Sequence, residues 1–162
     1  EGSEAMVGNL IVTPDFEVVL FSSGDDGELV HDLDRFCHRV TSGEVMHFRI
    51  DAKSVGRALH EGASLARILE TLERNSRTPV PQNVLYSIRN WSISAGLSFL
   101  SSERVLEVGD LETRRRIMQD PGVRPFVRRS SKEGLIHLKK EHTTKRLRSI
   151  LRELNYLVDL KA

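Results

Sequence analysis

The chain has 162 residues, 39% of them hydrophobic and 29% charged, which fits one domain or two small lobes with a common core. It has no signal-peptide pattern and no apolar run near the roughly 20 residues of a transmembrane helix, so we expect a soluble protein. Its single cysteine, Cys37, excludes an internal disulfide and fits a reducing compartment.

The formal net charge of +1 hides a division between the two halves of the chain. Residues 1–100 carry 9 Lys and Arg against 14 Asp and Glu, whereas residues 101–162 carry 15 against 9. Such asymmetry favours an acidic partner, above all nucleic acid, for the basic half. An ordinary solvated surface is the alternative explanation of the same charges.

Two strands, a helix and a third strand are predicted first. The β-rich runs 10–12 and 16–21 flank Pro14, which marks an edge strand or a bulge because proline cannot donate to a β-ladder. Apolar residues at helical spacing then predict a helix that ends at Gly43. Residues 44–50 alternate in polarity, which predicts a strand with one face in the core.

Three further helices are predicted in the acidic half. Asp51 and Ser64 each precede an amphipathic segment and are predicted to cap its helix. In "TPVPQNVLYSIRNW", Pro81 is predicted at the first helical position, where its missing N–H costs nothing. The apolar stripe of that helix includes Trp91, which we expect in the core rather than as a platform for base stacking.

The sequence of the basic half predicts, in order, a strand, a helix, two strands joined by a turn, another helix and a final strand. Asp110 is predicted to cap the first of these helices, and Asn155 to end the second in the left-handed conformation. The fold class is therefore α+β: a small mixed sheet packed with short helices, in one lobe or in two lobes that share a core. The predicted division is a flexible tail at 1–8, an α+β domain at 9–98 and a basic α/β extension at 99–162 packed on that domain.

No motif predicts catalysis. "GASLA" at residues 62–66 resembles a nucleophile elbow, but that motif requires a strand before the serine, and here a helix precedes it. The six histidines lack the spacing of a metal site, although His31 and His38 could share a helix face beside Cys37. No glycine-rich phosphate loop is present. We therefore predict no catalytic residue, no metal and no cofactor.

The basic half supplies candidates for a nucleic-acid surface. Successive helical side chains diverge by about 100°, so at most two residues of "RRR" at 114–116 could meet one run of phosphates. In the last helix, Lys145, Arg148 and Arg152 lie on one flank of the leucine stripe and off its buried side. The candidate phosphate contacts are Arg114, Arg115, Arg128, Arg129, Lys132, Lys139, Lys140, Lys145, Arg148 and Arg152.

Two segments resemble a known family: "IVTPDFEVVL" and "FRIDAKSVGRALHEGASLARILETLERNSRTPVPQNVLYSIRNW". They are similar to the domain at the N-terminus of the XPB-type DNA helicases of TFIIH. They are equally similar to the helicase-associated domain near the C-terminus of large bacterial proteins. The resemblance continues more loosely through "RVLEVGD" and "LRSILRELNY". The family marks, each of which also has a structural explanation, are Pro14, Asp15, Pro81, Gln82, Asn83 and Trp91.

The resemblance implies a non-catalytic module of a DNA helicase or helicase-related protein, with a role in DNA repair or transcription. In the helicases this domain precedes the motor and docks onto another TFIIH subunit of related fold. The implied partner is thus a helicase motor or a TFIIH-like subunit. The basic half, which is less family-like, adds the expectation of weak, non-specific DNA contact. We expect the chain to be a piece of a longer protein, cytoplasmic if bacterial, which we favour, and nuclear if eukaryotic. The alternative is a stand-alone nucleic-acid-binding domain that uses the basic half.

Overall fold

The computed structural model describes residues 9–161, so the predicted flexible tail at 1–8 lies outside the described residues. The chain forms two compact units, of which the first ends at Ser92 and the second begins at Ile93. The sequence-based division between residues 98 and 99 lies slightly further along the chain. Within residues 9–161, no helix is both long and apolar enough to cross a membrane.

The chain contains both helices and strands, and the predicted α+β class is confirmed. The helices are α1 Gly27–Phe36, α2 Ala52–His60, α3 Leu65–Asn75, α4 Gln82–Ser94, α5 Leu111–Gln119 and α6 Thr144–Glu153. The strands are β1 Leu10–Val12, β2 Glu17–Phe21, β3 His38–Thr41, β4 Val45–Arg49, β5 Ser98–Leu100, β6 Val105–Val108, β7 Val127–Ser130, β8 Leu135–Leu138 and β9 Val158–Leu160.

The first unit contains a four-stranded antiparallel sheet in the order β1-β2-β4-β3. Val18, Leu20 and Phe48 on its inner face are completely buried. The central position of β2 agrees with its apolar sequence, because a covered strand has few positions for polar side chains. Pro14 lies in the turn between β1 and β2, where no ladder hydrogen bond is required of it.

Strand β3 corrects one sequence prediction. Helix α1 ends at Phe36 and not at Gly43, because Cys37 adopts extended dihedral angles and His38–Thr41 pairs with β4. The pairing partner lies beyond a turn, so local helical spacing could not reveal it. Gly43 is in that turn at a φ of 132°, a conformation that L side chains rarely adopt.

The predicted caps of α2 and α3 are confirmed. The Asp51 carboxylate accepts the Ser54 N–H at 2.8 Å, and the Ser54 hydroxyl oxygen accepts the Asp51 N–H at 3.1 Å. This reciprocal pair satisfies two backbone donors that the helix itself leaves free. Ser64 accepts the Arg67 N–H at 3.1 Å in the same way.

Helix α4 begins directly after Pro81, one residue later than predicted. The Pro81 carbonyl accepts the Leu85 N–H at 3.2 Å, so the proline provides the first acceptor of the helix. Ile88 is fully buried, as expected for the apolar stripe. Trp91 is only partly buried and packs against Phe16, with ring centroids 5.3 Å apart. The indole therefore lies at the margin of the core and not inside it.

The second unit contains a five-stranded mixed sheet in the order β7-β8-β6-β5-β9, in which β5 and β9 are parallel. Its short strand β5 was not predicted from the sequence. Leu106 and Ile136 on the sheet share a buried core with Leu147 and Leu151 of α6. The predicted turn at 130–134 joins β7 to β8.

The predicted start of α5 and the predicted end of α6 are both confirmed. The Asp110 side chain accepts the Thr113 N–H at 3.0 Å at the start of α5. Asn155, after α6, has a φ of 71° and so takes the left-handed conformation expected of it.

Candidate functional site

The serine of "GASLA" is a helix cap. Gly62 has a φ of 105° and ends α2, and Ser64 caps α3. His31 lies on α1 whereas His38 lies on β3, so the helix face proposed for the two histidines does not exist. Residues 9–161 contain no group of three or more His, Cys, Asp or Glu arranged to hold a metal ion.

Cys37 is buried, and burial raises the pKa of its thiol, with a further contribution from the Asp34 charge. The thiolate needed for nucleophilic chemistry is therefore disfavoured at neutral pH. The Arg57 guanidinium donates to the carbonyls of Asp34, Arg35 and Cys37 at 3.0, 3.2 and 3.0 Å. Arg57 thus satisfies the free carbonyls at the end of α1, a structural role that the sequence did not reveal.

Two aspartates in the loop before α1 border an open polar cleft. Asp26 accepts the Ser23 N–H at 3.3 Å, and Asp25 lines the cleft beside it. Across the cleft, Arg67 pairs with Asp32 at 3.6 Å. The cleft lies within the first unit, and in this ion pair Arg67 is exposed whereas Asp32 is partly buried.

The family marks lie in the β1–β2 turn, at the start of α4 and at Trp91 further along this helix. The Asn83 side-chain amide donates to the Pro14 carbonyl at 3.0 Å, which holds the β1–β2 turn against the helix. Phe16, in the same turn, has a φ of 67° and packs on Trp91. This clamp gives Pro14, Asn83 and Trp91 structural roles. Asp15 and Gln82 are exposed, and Pro81 starts the helix.

The basic residues of α6 do not form one free row. Arg148 Nε donates to the Val158 carbonyl at 2.8 Å, and Arg152 Nη1 approaches the same oxygen at 3.5 Å. Both side chains are partly buried and attach α6 to β9, whereas Lys145 is exposed. The geometry therefore separates Lys145 from the two arginines with which the sequence grouped it.

The three arginines of α5 point to different neighbours, as helical geometry predicts. Arg114 Nη1 donates to the Lys132 carbonyl at 3.3 Å, which supports the β7–β8 turn. Arg115 pairs with Glu112 at 3.5 Å. Arg116 lies over the Tyr156 ring, 5.4 Å from its centroid.

A buried tyrosine fixes the end of α5. The Tyr156 hydroxyl donates to Asp120 Oδ2 at 2.6 Å. This hydrogen bond and one from the Gly122 N–H lower the pKa of Asp120 below its ordinary value. Burial and the same carboxylate raise the pKa of Tyr156 to about 12. The pair is structural, and the sequence did not reveal it because Tyr156 and Asp120 lie far apart along the chain.

The β7–β8 hairpin brings two candidate residues together. Arg129 is the cross-strand partner of His137, and Val127 is the partner of Leu138, so Arg128 is an extra residue in a β-bulge. Partner residues share a face, and Leu138 faces the core. Arg128 and Arg129 therefore both lie on the outer face, defined as the face that carries His137.

The remaining candidates flank this pair. Lys132 lies in the turn at one end of the hairpin, and Lys139 lies at the other end, where its N–H donates to the Phe126 carbonyl at 2.8 Å. Lys140 follows directly. All three lysines are exposed.

The β3–β4 hairpin displays a different surface. A register shift between Arg39 and Thr41 makes Val40 the extra residue of a second bulge. Val40 is 58% exposed and Val45, near the same turn, is 42% exposed. This apolar surface was not predicted, because a bulge cannot be seen in the alternation of a short strand.

A comparison with family models finds one described as "Helicase conserved C-terminal domain", which matches residues 10–132 and so more than half of the chain. The chain belongs to this family. No curated protein matches it significantly.

The matched part of this helicase C-terminal domain contains all six family marks. It spans the first unit and continues through β7 to Lys132, so that Arg128 and Arg129 lie inside it. Strand β8, α6 and β9 lie beyond the matched residues.

Proposed function

We propose that this helicase C-terminal domain is a non-catalytic accessory module of a DNA helicase or helicase-related protein and that it docks onto another protein domain or subunit. Family membership over residues 10–132 is the observation that carries the proposal. The resemblance to the N-terminal domain of XPB-type helicases supports a finer version. In that version the partner is a helicase motor or a TFIIH-like subunit, in DNA repair or transcription.

The outer face of the first sheet is the docking surface that we propose. Cross-strand pairing aligns Ile11 with Val19 and Phe21 with Val45 on this face, opposite the fully buried Val18. Ile11, Val19 and Phe21 are partly buried, and Val45 is exposed. Val40 adds an exposed apolar side chain at the β3 edge, and the apolar residues of this sheet favour a protein partner over solvent. On the outer face, His47 lies opposite Val19, and the Arg77 guanidinium lies 4.6 Å from the centroid of the Phe21 ring.

Titration calorimetry with purified proteins tests the docking. The partners are an XPB-type helicase motor and, in parallel, a TFIIH-like subunit. We expect micromolar association with one of them and at least tenfold weaker binding of a Val40→Asp variant, because a charge would be buried without a partner. Tyr86→Asp on α4 is the matched control, since Tyr86 is 67% exposed but outside the sheet.

Three results would contradict the proposal. The first is an absence of association with both partners at tens of micromolar protein. The second is equal weakening by Val40→Asp and Tyr86→Asp. The third is an ATPase rate of the chain alone that survives repurification and disappears with a point mutation, since an accessory module leaves hydrolysis to the motor.

Direct contact with nucleic acid is a second candidate function. The exposed cations of the β7–β8 hairpin favour it, and they lie in the second unit, whereas the sheet proposed for docking belongs to the first.

A further inference from the structure

The bulge in β7 determines where two consecutive arginines point. In a regular strand, Arg128 and Arg129 would project to opposite faces, and one guanidinium would enter the core. The register shift at Val127/Arg129 removes this alternation, and both arginines lie on the outer face.

These arginines lack the acidic neighbours that neutralise other arginines of the chain. Within residues 9–161, no side-chain hydrogen bond or ion pair engages the guanidinium of Arg128 or Arg129. Residues 124–140 contain six Lys and Arg but one acid, Glu133. The pKa of His137 is lowered mainly by partial burial and further by the charges of Arg129 and Arg128. Both guanidinium charges therefore act on the same position of the outer face.

The spacing of the cations matches a phosphate backbone. A four-residue strand is about 13 Å long, and one DNA strand carries a phosphate about every 3.4 Å along the helix axis. The hairpin has the arginine pair in its middle, Lys132 at one end, and Lys139 and Lys140 at the other. Guanidinium groups bind phosphate through two parallel hydrogen bonds, which suits arginine for the central position.

We propose that the outer face of the β7–β8 hairpin binds the phosphate backbone of duplex DNA without reading its sequence. The two strands contain no Asn or Gln, the side chains that read adenine. They also contain no Phe, Tyr or Trp on which unpaired bases would stack, so a duplex is favoured over a single strand. This binding is separate from docking, because the two surfaces belong to different sheets.

Fluorescence anisotropy of the full chain with a labelled duplex, titrated between about 50 and 200 mM salt, measures the phosphate contacts. We expect the double variant Arg128→Gln/Arg129→Gln to flatten the log–log salt slope by about 2 and to weaken binding about tenfold at the lower salt concentration. Each single variant accounts for about half of the change, because both arginines lie on one face. Circular dichroism and thermal melting confirm that the variants are folded.

Lys145→Gln/Arg146→Gln is the matched control, since it removes two exposed cations from α6 and leaves the hairpin unchanged. We expect it to change the slope by less than half as much as the arginine variant. An equal effect would overturn the hairpin site and leave only general charge attraction.

Three other results would also overturn the proposal. One is an absence of duplex binding at low salt and tens of micromolar protein. Another is tighter binding to a single strand of the same length. The last is equal competition by polyglutamate of matched charge, which would assign the surface to acidic proteins. None of these outcomes depends on whether the chain docks onto a helicase motor.

Discussion

The edge strands β3 and β7 use the same backbone device for different surfaces. Each contains a β-bulge with one extra residue. On the neighbouring strand, the two residues that flank the bulge position are a core-facing residue and a histidine. In β3 the extra residue is Val40, and in β7 it is Arg128. A shared irregularity thus exposes an apolar residue in one sheet and a cation in the other.

The arginines next to the two extra residues differ in whether an acidic side chain neutralises their charge. Arg39 in β3 pairs with Asp34 through two nitrogens and lies 6.0 Å from the centroid of the Phe48 ring, so its charge is neutralised. Arg129 in β7 has no such acid among the described residues. Both strands contain a bulge, so the difference between their side chains is the basis on which we propose a protein partner for the first edge and a polyanion for the second.

The largest expected effect tests whether both edges depend on the core beneath them. Phe48→Ala in β4, the neighbour of β3, should reduce the free energy of unfolding by about 3–5 kcal/mol, since Phe48 is buried. Leu138→Ala in β8, the neighbour of β7, should reduce it by about 2–5 kcal/mol for the same reason. Val40→Ala should change it by less than about 0.5 kcal/mol. Urea denaturation measures all three, and a large loss for Val40→Ala would show that the bulge is structural and not a binding surface.

A smaller effect compares how the two units respond to acid. The pKa of Asp120 is lowered by the Tyr156 hydroxyl. Partial burial opposes the shift of Asp51, but the Ser54 N–H and His38 lower its pKa overall. Because the pKa of each carboxyl is lower in the folded state, the carboxylates stabilise the fold at pH values above their ordinary pKa of 3.8. This stabilisation is lost as the pH falls through the pKa of the folded state.

The urea midpoint measured against pH checks this expectation. It should fall on acidification below about pH 4, and Asp120→Asn should remove part of that fall. Tyr156→Phe, which removes the hydrogen bond and keeps the carboxylate, should reproduce much of the Asn effect. A fall of unchanged size in both variants would contradict the assigned role of the pair.

The smallest expected effect sharpens the contrast between the arginines. Asp34→Asn removes the acid partner of Arg39, and the ion pair is exposed, so unfolding should become easier by less than about 1 kcal/mol. The same variant should raise any affinity of the chain for duplex DNA, because β3 then also displays a free guanidinium. Anisotropy measures the second effect, and no change in affinity would show that one additional cation on β3 does not create a phosphate site.

Local chemistry made several features predictable from the sequence. Asp51, Ser64 and Asp110 cap helices because their side-chain oxygens reach backbone donors two or three residues away, a distance visible in the sequence. Asn155 tolerates the left-handed conformation for an equally local reason. Family membership also followed from ordered segments of the sequence, and the family match supports the helicase association that they implied.

Only the tertiary structure decided the surfaces. Strand β3 depends on pairing with β4, which overrides the helical spacing before Gly43, and the bulge at Arg128 depends on the register of β8. Arg148 is attached to β9 because strand pairing brings the Val158 carbonyl beside α6. Each of these features rests on contacts between residues distant in sequence, and spacing along one segment contains no information about them.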